Sequence, residues 1–298
     1  MIEYLDGLLF SISWPWSLVL IIGVMAVIGV LAFLKQSLDL SGTISAVIMG
    51  VIVLWCTQLE GFLLLLLFFV GSNVVGRLSK RIRRQTSGEL FIEQKGSRRD
   101  SMQVLANGLM ATLGALMWYC TGKLSALVMF GAAIAEATSD TFAGEIGRLS
   151  KKPPVSIRTL TPVPKGLSGG ITLLGTATAF IASLVIALSW FIFFGRYCAS
   201  VSHGLLALSI IAITGFMGCI VDSYLGACAQ AHYRDPVTGE LTEKEYGEGP
   251  SACGSEGKTE RFELVQGIRW IDNDMVNLLS NLFSAVFALG MSTFVFAL

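Results

Sequence analysis

Charge is scarce in this chain. Of 298 residues only 14% are Asp, Glu, Lys or Arg, and 53% are hydrophobic. Soluble domains carry about 25% charge, so an ordinary soluble fold is excluded. Histidine is nearly absent. His203 and His232 are the two, near opposite ends of apolar segments, which argues against His-based metal or general-base chemistry. The six cysteines include no C-x-x-C pair, so neither a disulfide framework nor a zinc site is expected. The N-terminal MIEYLDGLLFSISWPW has no basic region, no small-residue cleavage site and no Arg/Ser-rich character. Neither a signal peptide nor a transit peptide is expected there, and that bareness points to a prokaryotic protein. Short alternating segments of the barrel kind are also missing.

What the chain does have is apolar length. Runs of about 20 apolar residues can cross a bilayer as helices. Eight candidates stand out: Trp16–Leu34, Leu40–Gln58, Phe62–Leu78, Met102–Thr121, Leu124–Ile146, Leu167–Phe194, Leu205–His232 and Met275–Leu298. The expected fold is all-α, a polytopic membrane helical bundle forming a single integral membrane domain over 1–298. With eight crossings, nineteen of the 21 basic residues fall on one side, leaving Lys123 and Arg196 on the other. The positive-inside rule makes the basic side cytoplasmic. The loops 77–101, 147–166 and 233–271 are then cytoplasmic and both termini non-cytoplasmic. Trp14, Trp16, Trp55, Trp118 and Trp190 fall at the expected outer ends, as an interfacial belt would. The location implied is a multi-pass membrane protein, in the cell (inner) membrane if prokaryotic.

Ionisable residues inside spans are costly and are functional candidates by default. Five expected helix ends bring theirs to the same face, within SRRDSMQVLANG, EATSDTFAGEIG, TPVPKGLSGG, IVDSYLGACAQ and IDNDMVNLLSN. Glu136 and Asp140 are four apart and share a helical face. Asp140 lies about 9 Å inside its helix end at 1.5 Å per residue. Two carboxylates at that depth need protons or a cation. Magnesium suits them, since it takes one or two carboxylates plus waters and phosphates. The plainer reading leaves Glu136 and Glu145 as interfacial or protonated residues without a task. DTFAG at Asp140–Gly144 is echoed by DSYLG at Asp222–Gly226, as in a parallel repeat.

PKGLSGG at Pro164–Gly170 has the makings of a phosphate cradle, with Lys165 and the amides of Ser168, Gly169 and Gly170 at a helix start. A flexible loop with a helix cap is the competing reading. Asn273, Asn277 and Asn281 form a polar stripe beside Asp272 and Asp274. Interhelical hydrogen bonding would explain the stripe; a ligand or metal role is favoured for Asp274 and Asn277. Arg98 and Arg99 can clamp a phosphate or belong to a basic rim attracted to anionic lipid. ACGSEGKT at Ala252–Thr259 fits a relaxed Walker A pattern, but no strand-like run precedes it, so it reads as linker or cover.

RRDSMQVLANG, TSDTFAGEIG, VPKGLSGGIT, IVDSYLGACAQ and NDMVNLLSN, with SLDLSG at Ser37–Gly42, resemble the integral membrane family that includes plant phytyl-phosphate kinases. That family is distantly similar to dolichol kinases and phosphatidate cytidylyltransferases. Ser139 and Phe142 depart from the usual Ala and Trp, and neither removes a charge. The resemblance implies phosphoryl transfer from CTP or ATP to a prenyl or phytyl monophosphate. It makes Asp140 and Asp222 magnesium ligands, assisted by Glu136, Asp274 and Asn277. Lys165, Ser168, Gly169 and Gly170 would hold the donor, with Asn107 on the nucleotide side, and Arg99 the acceptor phosphate. The partners are then a lipid phosphate, a nucleoside triphosphate and membrane lipid, with no nucleic acid. Two alternatives stand: a lipid cytidylyltransferase, and an ion-coupled transporter using intramembrane Asp residues.

Overall fold

Apolar runs without proline become long helices. The computed structural model describes residues 6, 7, 9, 11–87, 98–236, 239, 241–248 and 259–297. Among them are seven long helices: α1 (Trp16–Leu34), α2 (Leu40–Ser87), α3 (Ser101–Thr121), α4 (Leu124–Gly147), α5 (Leu173–Phe194), α6 (Val201–Cys228) and α7 (Asn273–Ala297). Six are long and apolar enough to cross a membrane. The seventh, α4, carries Glu136, Asp140 and Glu145 and packs against α2, α3, α5, α6 and α7. The protein is an integral membrane helical bundle.

The second and third expected segments are two arms of α2. They meet at Gln58, whose φ of 58° and ψ of −161° break the helix. The chain doubles back there. Val47 and Leu66 pack on the same cluster around Leu54 and Phe62. Arg77, far along the second arm, donates from Nη2 to Lys35 O and Ser37 Oγ, both at 3.3 Å. Asp6 Oδ1 accepts the Leu59 N–H at the break (3.1 Å). The second arm continues to Ser87, into the stretch expected as loop.

Small residues let the helices touch. The Trp190 indole donates to Leu127 O (2.8 Å), and a side chain at Gly131 would collide with that indole. Gly114 faces the Phe130 backbone, and Ser183 Oγ donates to Ala212 O. This is the small-residue and hydroxyl packing of membrane helices. Trp190 is therefore no interfacial anchor as expected: it is fully buried. Belt and core both use tryptophan, and position along the chain does not separate them.

At the end bearing Gln58 the connections are tight. Gly122, at φ 62°, closes α3, and α4 starts at Leu124. Buried Glu60 meets Arg196 Nη1 at 2.8 Å. Arg196 is 37% exposed, so the pair lies between surface and buried cases. Arg196→Ala is expected to cost about 2 kcal/mol, read as a fall in thermal midpoint in detergent. Glu60→Gln in that background should recover part of it.

The opposite end carries the longer connections, folded into short antiparallel pieces. β1 (Val155–Ser156) pairs with β2 (Gly170–Ile171). β3 (His232–Arg234) lies between β4 (Leu241–Thr242) and β7 (Glu263–Gln266), and β5 (Tyr246–Glu248) pairs with β6 (Thr259–Arg261). Helix α6 ends at Cys228, so His232 is a strand residue and not the end of a span. Of the Walker-like stretch, residues 252–258 lie outside the described residues. Strands do precede it, but they are antiparallel ribbons, and Thr259 opens a strand rather than a helix. Among the described residues, the context a phosphate loop needs is not there.

Candidate functional site

The site is built where α4, α6 and α7 end against the folded connections. Asp140 on α4 and Asp222 on α6 have their carboxyl groups within hydrogen-bonding reach of each other. Ser280 on α7 touches both acidic helices: its Oγ lies 2.8 Å from Glu136 Oε1 and 3.2 Å from Asp222 Oδ2. Asn281 Nδ2 donates to Glu136 Oε2 and to Ala133 O. Glu136 thus has both oxygens engaged and is 2% exposed. It reaches Asp222 through Ser280 and lines neither polar cavity at this end of the bundle.

Asp140 and Asp222 line a cleft of about 260 Å³ together with Thr141, Ser223, Asn273 and the loop Lys165–Gly170. The two D-hydroxyl motifs therefore both deliver their Asp and their hydroxyl residue here. Their glycines differ. A Cβ on Gly226 would touch Gly169 N and Ser168, whereas Gly144 has open space.

The glycine loop does not open α5. Helix α5 begins at Leu173, capped by Thr172 Oγ1, which accepts from Gly175 N (3.0 Å). Gly169, at φ 80°, lies so close to Ala227 on α6 that no side chain fits. The Gly170 amide donates to Leu167 O. The Ser168 amide donates to Glu243 Oε1 (2.9 Å), a carboxylate reaching over from the β4–β5 connection. Lys165 Nζ donates to Ser150 O (2.9 Å) and lines the cleft. One amide of the expected cradle meets an anion, and the glycines chiefly permit close contact with α6.

The cleft adjoins a cavity of about 1140 Å³, sharing Thr141, Glu145, Arg148, Lys165, Gly166 and Asn273 with it. Lys35, Arg77, Lys80, Arg83, Arg99, Arg148, Lys165, Lys244 and Arg269 line the cavity. Among the described residues, against these nine cations stand five acids: Glu145, Glu243, Glu245, Asp272 and Asp274. Some charges are internally matched, as in Arg83–Glu145 (3.6 Å) and Arg269–Glu245 (3.2 Å). The surplus is positive and suits a polyanion.

Arg99 is held by its backbone between two helix starts. Its N–H donates to Ser37 O (3.1 Å), and its carbonyl accepts from Asp39 N (3.0 Å). Gly42 packs against the same carbonyl, where no Cβ fits. Asp39 Oδ1 accepts from Gly42 N (2.7 Å), and that capping bond holds its carboxyl below the usual carboxylate range. Ser41 Oγ accepts from Ser101 N, and Asp100 caps α3 at Gln103 N. The SLDLSG motif thus serves Arg99, a role that sequence reasoning missed. An Asp-x-Ser-Gly capping pattern was the signal that could have found it. Burial lowers the Arg99 guanidinium pKa, opposed by Glu145. Arg stays charged regardless, and a partly desolvated cation binds an anion more strongly. Arg98 instead stacks over the Phe33 ring at 5.9 Å, away from the cavity.

Asn107 and Asn277 line the large cavity, as does Asp274, which is 4% exposed. Asp274 does not line the cleft of Asp140 and Asp222, so the expected four-carboxylate metal set is divided. Among the described residues no group of three or more His, Cys, Asp or Glu side chains could hold a metal ion. What remains is a facing carboxylate pair at a cationic cavity. That donor set fits magnesium, which needs one or two carboxylates with phosphates and water completing its shell. Sequence reasoning also missed Gln230. It is 1% exposed, lines the cavity, and neither polar atom of its side chain has a partner among the described residues.

Known proteins supply the context. The chain is 28% identical over 306 residues to Protein PGR of Arabidopsis thaliana, covering 95% of this chain and 99% of that protein. It is 33% identical over 172 residues to an uncharacterized membrane protein of Methanocaldococcus jannaschii, covering 58% and 69%. To Protein VTE6, chloroplastic, of Arabidopsis thaliana it is 23% identical over 268 residues, covering 88% and 67%. No solved structure matches. Residues 23–285 match the family described as integral membrane protein DUF92, and the chain belongs to that family.

Proposed function

We propose that the protein is a kinase that uses CTP or ATP to convert a prenyl- or phytyl-type lipid monophosphate to the diphosphate at the cytoplasmic membrane face. The observation that carries this reading is the facing pair Asp140 and Asp222, open to a cavity with surplus positive charge at one end of a membrane bundle. The likeness to VTE6 supports it, as does the resemblance of RRDSMQVLANG, TSDTFAGEIG and NDMVNLLSN to the family that includes phytyl-phosphate kinases. The basic end is taken as cytoplasmic, with eight crossings and both termini outside.

A phosphate monoester has its second pKa near 6, so the acceptor is already an anionic nucleophile at neutral pH and needs no strong base. Alignment and charge neutralisation are what the protein must supply. Arg99 holds the acceptor phosphate. Lys165, Arg148 and the Ser168 amide hold the donor, whose phosphates displace Glu243 from that amide. Asp140 and Asp222 would hold magnesium, and the ion would supply neutralisation of the charge that develops on the transferred phosphate. Asn277 and Asp274 line the nucleotide side of the cavity, and Asn107, four residues beyond Gln103 on α3, stands on the Arg99 side. An acceptor oxygen bonds to the γ-phosphorus, the β–γ bridging P–O bond breaks, and the nucleoside diphosphate leaves with the electron pair.

The test uses protein in detergent, geranylgeranyl monophosphate, magnesium, and CTP or ATP labelled at the α or γ phosphorus. γ-Label should enter a lipid diphosphate while α-label stays in water. α-Label in the organic phase would instead establish a lipid nucleotidyltransferase. No label in lipid across chain lengths would sink both and favour ion transport.

A further inference from the structure

An apolar fissure of about 100 Å³ runs between α1, both arms of α2, and α3. Its only polar lining residues among those described are Arg99, Gln103 and Asn107, and all three also line the cationic cavity. The two spaces therefore meet along one line of side chains. Gln103 and Asn107 are spaced by four and share one face of α3, and Arg99 stands just before the extended N-cap Asp100 that starts the helix. Gly108 comes next in the fissure lining. Along the line the chemistry runs from guanidinium to carboxamides to bare backbone.

Glycines set how closely the walls approach. A Cβ at Gly29 would strike Val47, one at Gly50 would strike Met25, and one at Gly108 would strike Met49. Two of those three obstacles are methionine ends. Unbranched, polarizable methionines adapt to an irregular apolar occupant, so the fissure can widen without moving helices. Nothing in it could stabilise a charge beyond the junction. An occupant must be anionic at Arg99 and hydrocarbon beyond Gly108.

We infer that this fissure holds the head-proximal part of one long isoprenoid or alkyl chain whose monophosphate sits on Arg99, with Gln103 and Asn107 at the neck. The inference rests on the lipid-phosphate reading above and adds where the tail goes. It makes the acceptor enter from the membrane through α1 and α2 while the donor enters from the aqueous side. It also ties chain selection to the methionine-lined walls, separately from nucleotide selection.

The test needs no turnover. Wild-type protein in phospholipid nanodiscs is irradiated with geranylgeranyl monophosphate carrying a diazirine a few carbons from the phosphate, without nucleotide. Adducts should map to fissure residues such as Met25, Val47 and Leu66. Unlabelled geranylgeranyl monophosphate should compete and geranylgeraniol should not. Gly50→Leu should weaken the competed labelling about tenfold or more, since small changes in an apolar pocket are worth that much. Nucleotide binding should not change. Adducts confined to lipid-facing surfaces and competed equally by the alcohol would make the fissure ordinary bilayer contact and overturn the inference. Phosphate-competed adducts elsewhere would also overturn it, yet leave the kinase reading standing. That reading is decided separately by the label-transfer result.

Discussion

Asp222→Asn should lower phosphoryl transfer by roughly 10³-fold or more while making the resting protein more stable. Metal-held charge neutralisation contributes several kcal/mol to such reactions, and 1.36 kcal/mol is tenfold in rate. Asp222 faces Asp140 within hydrogen-bonding reach. One amide in place of one carboxylate removes that proposed magnesium ligand. It also removes a like-charge conflict in a buried setting and can hydrogen-bond to the remaining carboxylate. Sites held for function are commonly unfavourable for stability, so relief should appear as a higher thermal midpoint without magnesium or nucleotide. In the wild type, magnesium with CTP should raise the midpoint by mass action, and the variant should lose that response. Asp140→Asn should behave the same way. Glu136→Gln should be milder, about 10–100-fold, because Glu136 reaches Asp222 through Ser280 and acts as an outer support. A lowered midpoint and near-normal rate for Asp222→Asn would make the pair structural and end the magnesium reading.

The acid pair was legible because a charge in an apolar run is conspicuous. Asp140 and Asp222 announce themselves by what surrounds them, and the repeated D-hydroxyl-aromatic pattern hints that they meet. The bundle was legible for the same reason. What the sequence hid is mostly backbone work. Nothing about Gln58 marks a left-handed break that folds one helix into two arms. Gly169 reads as freedom to approach a phosphate, yet its lack of a side chain serves the close contact with Ala227. Strands of two to four residues between His232 and Gln266 are too short to show a period. Glu60 and Arg196 are far apart in sequence, and only the fold reveals that they pair. Neither a magnesium ion nor a nucleobase would leave a readable trace beyond the charge that would receive it.

Arg99→Ala should raise the half-saturating concentration of lipid monophosphate about 30-fold or more. Truncating one partner of a hydrogen-bonded charge pair costs about 2–5 kcal/mol. The nucleotide requirement should stay within a few-fold, since the proposed donor site is the cleft of Asp140 and Asp222, which Arg148 and Lys165 line. The scaffold should survive, because Arg99 is fastened by its own N–H and carbonyl to Ser37 and Asp39, bonds any side chain leaves intact. Arg99→Lys should recover only part of the loss, because an ammonium cannot present the planar fork that matches two phosphate oxygens. Arg98→Ala is the neighbouring control. That side chain lies over Phe33 outside the cavity, and its loss should change neither substrate measurably. The assay is initial rate against lipid at saturating nucleotide, then the reverse. A larger effect on the nucleotide than on the lipid would move Arg99 to the donor and exchange the two substrates' places in the cavity. Equal losses for Arg98→Ala and Arg99→Ala would reduce both to a basic rim attracting anionic lipid.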